Sequence, residues 1–152
     1  MRILRRTAAR CSVASPRTPI DSRVADTHTA LWYLLNNPRL SFTARSFIDN
    51  AATAGDSVVI FPISLAEIVY LVEKKRLPES AYVELRKALN DPDFVLQEGK
   101  FTGDIVGTMR QVPRVDIPDM PDRIVAATAL YYGVPAISRD GRIRASTIET
   151  LW

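Results

Sequence analysis

The chain has 152 residues, 47% of them hydrophobic and 24% charged, so we expect one globular domain and not a disordered chain. No apolar run approaches the ~18 residues that a membrane span needs, and a single cysteine, Cys11, excludes an intrachain disulfide and suits a reducing cytoplasm. The net charge of +3 arises at the start of the chain, because residues 1–23 contain six arginines and one acid. The bulk charge of the remaining chain therefore does not indicate a nucleic-acid-binding protein.

Residues 1–22 are rich in Arg, Ser, Ala and Pro and show no hydrophobic period. This composition predicts a flexible tail, so the folded domain is expected over residues 23–152. The tail resembles an organellar transit peptide, but its arginines interrupt the apolar core that a signal peptide needs. A start codon assigned too far upstream would produce the same pattern.

The first half of the folded part predicts two strands separated by a pair of helices. Residues 23–26 (RVAD) predict a short strand and residues 27–37 a helix, stopped by an Asn-Asn-Pro sequence. A second helix is predicted over 41–54, with a serine cap and a closing glycine. The β-branched run at 57–64 predicts a buried strand, in which Pro62 marks the end of pairing or an edge position.

The middle of the chain predicts two amphipathic helices, at 64–77 and 79–89, followed by a strand at 94–97. A weaker helix is predicted over 99–112, because two glycines dilute it.

The segment 119–140 predicts a helix and then a buried strand. Pro121 suits the first turn of the helix and Gly133 its end. Residues 141–147 predict a loop or short helix, and residues 147–152 a last strand. Strands thus alternate with helices along the chain, which favours an α/β fold: a three-layer α/β/α sandwich with a mostly parallel central sheet.

Four carboxylates lie at the ends of these elements. Asp26 ends the first strand, and Glu67 lies three residues after the second strand, in the first turn of a predicted helix. Asp122 lies in the first turn of another helix, and Asp140 follows a later strand. Since strand ends and helix starts share one edge of a parallel sheet, we expect these acids to converge.

Four converging acids without a matching lysine repel one another, so the cluster requires protonation or divalent cations. Ligand sets made only of oxygen suit Mg²⁺ or Mn²⁺ rather than Zn²⁺. Such ions recruit phosphates, and phosphodiester hydrolysis is therefore the reaction class that the cluster indicates.

Most of these acids also have a structural interpretation, which the sequence leaves open. Asp119 can be a helix N-cap, and Glu67 can complete a capping box with Ser64. Asp122 can be favoured by the helix dipole alone, and Asp140 can form a turn with the glycine that follows it.

Asp26 is harder to explain structurally, because Thr27 or Thr29 could cap the helix that follows it. His28 is the only histidine, and a structural hydrogen bond is the more common role for such a residue than a ligand or base role.

Trp32 and Tyr33 are expected to pack in the core or at an interface. Four arginines flank the acidic edge, either as solvated surface residues or as residues that position RNA phosphates: Arg123, Arg139, Arg142 and Arg144.

These residues together resemble a known family. Asp26-Thr27-His28 followed in order by ALWYLL, ISLAEI, KKRL, DMPDRIVAATAL and AISRDGRIR is similar to the PIN-domain ribonucleases, in particular the VapC-type toxins of prokaryotic toxin–antitoxin pairs. The resemblance covers residues 23–152. It implies a compact α/β/α fold and cytoplasmic RNA cleavage that depends on Mg²⁺ or Mn²⁺.

The resemblance also implies site residues. It assigns catalytic and metal-binding positions to Asp26, Glu67, Asp122 and Asp140. Ser138 replaces the threonine of the family's Thr-x-Asp pattern, and Asp119 matches an acid often found just before the third one. We group Ser138 with Arg123, Arg139 and Arg142 as expected substrate-binding residues.

The expected partners are an RNA substrate, a cognate antitoxin and a second copy of the chain in a homodimer. The helices at 64–77 and 79–89 present Tyr70, Leu71 and Tyr82 for an antitoxin segment.

Two other functions remain to be weighed against a ribonuclease toxin. A catalytically inactive PIN-fold module that acts through protein partners would be favoured by the loss of an acid, and all four acids are present. A phosphoacceptor domain needs adjacent acids after the first strand and a lysine near the last one. Asp26 has no acidic neighbour and the last strands offer Arg139, so the sequence disfavours that function.

Overall fold

The structure is a computed structural model that describes residues 22–152. The predicted tail at 1–22 lies outside the described residues except for Ser22, which is already the first residue of a strand. In the described part of the chain, no helix has both the length and the apolar character to cross a membrane.

The described chain contains five strands, seven α-helices and one 3₁₀ turn. In chain order they are β1 (Ser22–Ala25), α1 (Thr27–Leu34), α2 (Phe42–Ala54), β2 (Ser57–Ile60), α3 (Pro62–Glu73), α4 (Glu79–Leu89), β3 (Leu96–Glu98), α5 (Gly103–Thr108), the 3₁₀ turn (Met109–Gln111), α6 (Met120–Tyr132), β4 (Ala136–Ile137), α7 (Gly141–Ala145) and β5 (Thr150–Leu151).

The strands form one sheet in the order β3-β2-β1-β4-β5, and every pair is parallel. Val24 of the central strand β1 pairs with Val59 on one side and Ala136 on the other. The chain winds outward from β1 to β3 and then continues at β4 on the other side of β1. The gap between the carboxyl ends of β1 and β4 is therefore a topological switch point, where open α/β sheets bind ligands.

Two apolar clusters cover the two faces of the sheet. Alternate residues of β2 divide between them: Val58 and Ile60 belong to the cluster formed with α1 to α4, and Val59 packs against the cluster formed with α5 to α7. This alternation follows from the two-residue period of a strand. The three-layer α/β/α architecture and parallel sheet expected from the sequence are confirmed.

The second predicted strand, 57–64, is wrong in its second half. β2 ends at Ile60, and Pro62 is a first-turn residue of α3 and not a strand residue. Proline fits there because the first helical N–H groups have no intrahelical acceptor and its φ suits a helix. Because α3 begins earlier than expected, Glu67 lies in its second turn and Ser64 lies inside the helix. The capping-box interpretation of these two residues is therefore wrong.

The other boundaries agree more closely. Ser41 caps α2 with a 3.1 Å hydrogen bond from the Ala44 N–H group, and α4 spans the predicted residues. Gly133 ends α6 at a φ of 64°. The weak helix predicted over 99–112 contracts to α5 and the 3₁₀ turn, as expected where glycines lower helix propensity.

Gly99 lies at the carboxyl end of β3, where backbone and side chains approach closely. Its N–H group donates to the Ile60 carbonyl at 2.8 Å. A Cβ atom at this position would lie 2.5 Å from Cγ1 of Val59 and 2.6 Å from the Phe61 ring. Glycine is therefore required by space at this position.

We predict that Gly99→Ala lowers the free energy of unfolding by about 1–3 kcal/mol, the usual cost of overpacking a tight site. Gly107→Ala is the control, because Gly107 lies in a helix and a Cβ atom at this position would meet no atom within 4 Å. The Gly107→Ala change should leave the free energy of unfolding unaltered or raise it by about 0.5–1 kcal/mol. Denaturant unfolding of both variants measures the difference, and equal effects would contradict the packing argument.

Candidate active site

A pocket of about 560 Å³ opens at the carboxyl edge of the sheet, next to the switch point between β1 and β4. The structure brings all five predicted acids to this pocket. Its lining consists of Asp26, His28, Trp32, Arg39, Glu67, Asp119, Asp122, Arg139, Asp140 and Gly141.

Asp26 lies between β1 and α1 and is only 6% exposed. One carboxylate oxygen accepts a 2.7 Å hydrogen bond from the Thr29 N–H group, so Asp26 is the N-cap of α1. The other oxygen accepts the hydroxyl of Ser138. The expectation that a threonine could cap this helix is wrong, because Asp26 occupies the N-cap position and both threonines lie inside the helix.

These threonine hydroxyls fasten α1 to its neighbours. Thr29 Oγ1 donates to the Ile137 carbonyl at 2.9 Å and ties α1 to β4. Thr27 Oγ1 donates to Oε2 of Glu67 at 2.6 Å and ties α1 to α3. Glu67 is thus oriented from another helix and not by a capping box.

Ser138 is fully buried and links two acids of the pocket. Its hydroxyl donates to Asp26 and accepts the Asp140 N–H group at 3.0 Å. Asp140 in turn caps the short helix α7, with its Oδ1 atom accepting from the N–H groups of Arg142 and Ile143 at 2.8 and 2.9 Å. The buried hydroxyl of Ser138 positions carboxylates, and substrate contact by this residue stays a prediction.

Asp119 and Asp122 both lie at the start of α6. Asp119 is the N-cap, and its Oδ2 atom accepts from the Asp122 N–H group at 3.4 Å. Among the described residues, none donates a hydrogen bond to the Asp122 carboxylate. Asp122 is therefore the acid that the fold leaves least stabilised.

Asp122 is the acid of the cluster whose pKa is clearly raised. The pKa of Asp122 is raised from 3.8 to about 7, first by burial and then by the charges of Asp140, Asp119, Asp26 and Glu67, in that order. A pKa near neutrality means that the metal-free pocket holds a proton at Asp122 that an ordinary aspartate would have lost.

The structure adds three residues to the pocket that the sequence did not assign to it. His28 and Trp32 lie one helical turn apart on α1, and Arg39 lies in the loop after α1. The i, i+4 spacing of His28 and Trp32, just after Asp26, could have indicated that both face the pocket. The sequence carries no such signal for an arginine in a loop. Tyr33 is buried in the core as expected.

The predicted substrate-binding arginines differ in position. Arg139 lines the pocket, with its guanidinium carbon 5.9 Å from the centre of the Trp32 ring. Arg142 is exposed on α7 and is not part of the lining. Arg123 donates to the carbonyls of Val112 and Met109 at 2.8 and 2.9 Å, so its guanidinium holds the 3₁₀ turn against α6.

The donor set fits a hard divalent cation in chemistry and in charge. All five acids offer carboxylate oxygens, which Mg²⁺ and Mn²⁺ prefer. Burial and then the other four acids raise the pKa of Asp122, and none of these acids forms an ion pair among the described residues. Within residues 22–152, however, no group of three acids or histidines is already arranged to hold a metal ion.

Fold and pocket together define a class of protein: a parallel α/β/α domain with an acidic pocket at its topological switch point. The family model of the PIN domain matches residues 23–147, so the chain belongs to the PIN domain family. The family resemblance seen in the sequence is confirmed.

Two relatives are similar to this chain. Ribonuclease VapC22 of Mycobacterium tuberculosis (strain ATCC 25618 / H37Rv) is 28% identical over 120 residues, which cover 79% of this chain and 88% of that protein. A crystal structure of VapBC2 from Rickettsia felis, bound to a DNA fragment from their promoter, matches with a TM-score of 0.63 and 15% identity. That match covers 85% of this chain and 96% of the other, and it supports the fold.

We predict that Asp122→Asn stabilises the metal-free protein above neutral pH. The folded-state pKa is raised, so this group makes the parent less stable as the pH rises from about 4 to about 7. Asparagine cannot ionise and removes that loss. The difference in Tm between variant and parent, measured in chelator, should therefore grow through this window and level off above it.

Asp93→Asn is the matched control, because Asp93 is exposed in the turn before β3, at the opposite edge of the sheet. Its Tm difference from the parent should not follow that pH course. An Asp122→Asn protein that is less stable than the parent at pH 8 would show that the acid cluster is not repulsive.

Proposed function

We propose that this PIN-domain protein is an endoribonuclease that hydrolyses RNA phosphodiester bonds with Mg²⁺ or Mn²⁺ and is the toxin of a toxin–antitoxin pair. Family membership and the similarity to a protein named Ribonuclease VapC22 support the activity. The observation that carries the proposal is the convergence of five carboxylates on one pocket, where burial and then the charges of the other four acids raise the pKa of Asp122 to about 7.

The residues that would hold the ion are those that line the pocket with free carboxylate lone pairs: Asp26, Glu67, Asp119, Asp122 and Asp140. When bound, a divalent cation would supply positive charge against the scissile phosphate and lower the pKa of an attacking water. Because Asp122 is ionised only partly near neutrality, cation binding would release its proton, and affinity should fall at lower pH.

The chain itself supplies orientation. Ser138 holds Asp26 and Asp140 together, and Thr27 holds Glu67 against α1. These hydrogen bonds fix the angles of three carboxylates before substrate arrives, and preorganisation of this kind is a large part of catalysis. Asp122 remains free to turn towards an ion, because no described residue donates to its carboxylate.

The alternative is a catalytically inactive PIN module that acts only through protein partners. Every expected acid is present and lines the pocket, which favours the enzyme. Both functions predict a partner, so cleavage is the property that separates them.

We predict that the purified protein cleaves RNA with Mg²⁺ or Mn²⁺ and not with chelator. Asp26→Asn should lower the cleavage rate at least ~100-fold, equivalent to about 2.7 kcal/mol of transition-state stabilisation. Asparagine caps helices about as well as aspartate, so α1 should survive the change. The measurement is the initial cleavage rate on total RNA, together with the Tm of each variant.

Asp93→Asn again serves as the control for the loss of one acid, and it should cleave at the parent's rate. Mn²⁺ should also raise the Tm of the parent, since a ligand that binds only the folded state stabilises it. Equal cleavage by Asp26→Asn and the parent would refute the catalytic role of the pocket. A parent that never cleaves would favour the inactive module.

The expected antitoxin would bind the exposed face of α3 and α4. Tyr70 is 54% exposed, Val83 is 51% exposed and Val69 is 38% exposed, with Leu71 and Tyr82 half-buried beside them. An apolar surface of this kind suits the apolar face of an amphipathic helix. The structural relative is itself a VapBC2 complex from Rickettsia felis, and we infer a comparable pairing here. The homodimer stays a prediction.

We predict that a small protein encoded next to this gene co-purifies with the chain and that Tyr70→Ala weakens the complex at least ~10-fold, about 1.4 kcal/mol, because exposed aromatic residues dominate such interfaces. Tyr131→Ala removes a comparable exposed ring from α6, on the other side of the sheet, and should leave affinity unchanged. Titration calorimetry of the two variants measures this. Equal weakening by both would place the partner elsewhere.

A further inference from the structure

Five residues of the pocket lining are not acidic: His28, Trp32, Arg39, Arg139 and Gly141. We call Trp32, Arg39 and Arg139 the cationic wall. The Arg139 guanidinium lies over the Trp32 ring at 5.9 Å, and the Trp32 ring is also in contact with His28 at 5.5 Å between ring centres. Arg139 and His28 therefore pack against one aromatic ring, and Arg39 lines the same pocket.

The two arginines of the wall are not neutralised by the acids of the same pocket. Within the described residues, neither Arg39 nor Arg139 forms an ion pair with a carboxylate, although both are exposed. The pocket thus has an acidic half and a separate cationic half.

Two segments of the chain contribute residues to both halves of the pocket. Asp26 caps α1, and Trp32 lies on that helix. Ser138, Arg139 and Asp140 follow β4 directly, so adjacent residues place a cation in the wall and an acid in the pocket. Trp32 is held from a third side by Trp152, whose ring centre is 5.8 Å away. This support fixes the ring on which Arg139 lies.

We propose that the cationic wall binds the RNA phosphate next to the one that is cut, with Arg39 and Arg139 as its contacts. The inference rests on the proposed ribonuclease activity. The acidic half repels RNA except at the one phosphate that contacts the bound divalent cation. The neighbouring phosphate of the same strand must therefore lie against a positive surface in the same pocket. Guanidinium groups suit phosphate oxygens because their donors match them in pairs. Trp32 is a positioning residue, since it acts through Arg139.

The experiment measures binding without chemistry. The chain has two tryptophans, so Trp152→Phe leaves Trp32 as the only fluorescent indole. In chelator this protein is titrated with a single-stranded oligoadenylate of roughly ten nucleotides, a length within the range of single-strand binding sites. Trp32 fluorescence and the anisotropy of a labelled strand are followed at several salt concentrations.

Each phosphate contact to a single strand contributes about 0.7 to the slope of log K against log salt concentration. Arg39→Gln and Arg139→Gln should each lower the magnitude of that slope by about 0.7, and Arg39→Lys should restore it. Trp32→Phe, read by anisotropy alone, should weaken binding with a smaller change in slope. Arg76→Gln is the control, because Arg76 is exposed beyond the far end of α3, at the opposite edge of the sheet.

Three outcomes overturn the inference: no binding of the parent in chelator, unchanged Trp32 fluorescence on binding, or slopes equal to that of Arg76→Gln in both arginine variants. The result is separable from the proposed function. If the parent cleaves RNA in Mg²⁺ but the arginine variants have the parent's salt slope, the ribonuclease function is retained and phosphate binding by the cationic wall is refuted. If the salt slopes change as expected but the parent never cleaves RNA, phosphate binding by the cationic wall is retained and the ribonuclease function is refuted.

Discussion

Repulsion among carboxylates at one edge of the sheet is the constraint on which the architecture of this molecule depends. Five acids line one pocket, and the fold stabilises them with hydrogen-bond donors and not with ion pairs among the described residues. Asp26, Asp119 and Asp140 each cap a helix, so backbone N–H groups and the positive end of a helix dipole face their charge. A parallel sheet makes this arrangement possible, because its helices begin at the same edge where its strands end.

Hydroxyl groups complete the support, and their placement explains why the acids are not equivalent. Thr27, Thr29 and Ser138 connect α1 to α3, to β4 and to the Asp140 backbone. Asp122 receives none of these bonds in the described chain, and burial together with the charges of the other four acids raises its pKa. The pocket is therefore a rigid frame of oriented charges with one member that titrates near neutrality. Such a site is prepared to exchange a proton for a cation.

The sequence was sufficient to predict the layer order and the five acids, because both follow from strand and helix periods in a parallel sheet. It was not sufficient where one residue type serves two structures. Pro62 fits the end of a strand and the start of a helix, and only packing decides between them. Asp26 is both a cap and a pocket acid, although local sequence offered threonines for the cap. Arg39 was not assigned to the pocket, and Arg123 was expected to bind substrate whereas its guanidinium holds the 3₁₀ turn, because the direction of a long side chain depends on tertiary contacts.

Charge in this protein is organised locally and not globally. After residue 23 the acids outnumber the basic residues, so no long-range field draws a polyanion to the folded domain. Attraction must then arise within the pocket, from a bound cation at the acidic half and from the exposed guanidinium groups beside it. RNA binding and cleavage would depend on the same few contacts, so a partner that blocks these contacts would inhibit both. A partner that delivers one cationic side chain to the carboxylates around Asp122 would relieve their repulsion, gain affinity from that relief and displace the ion at the same time.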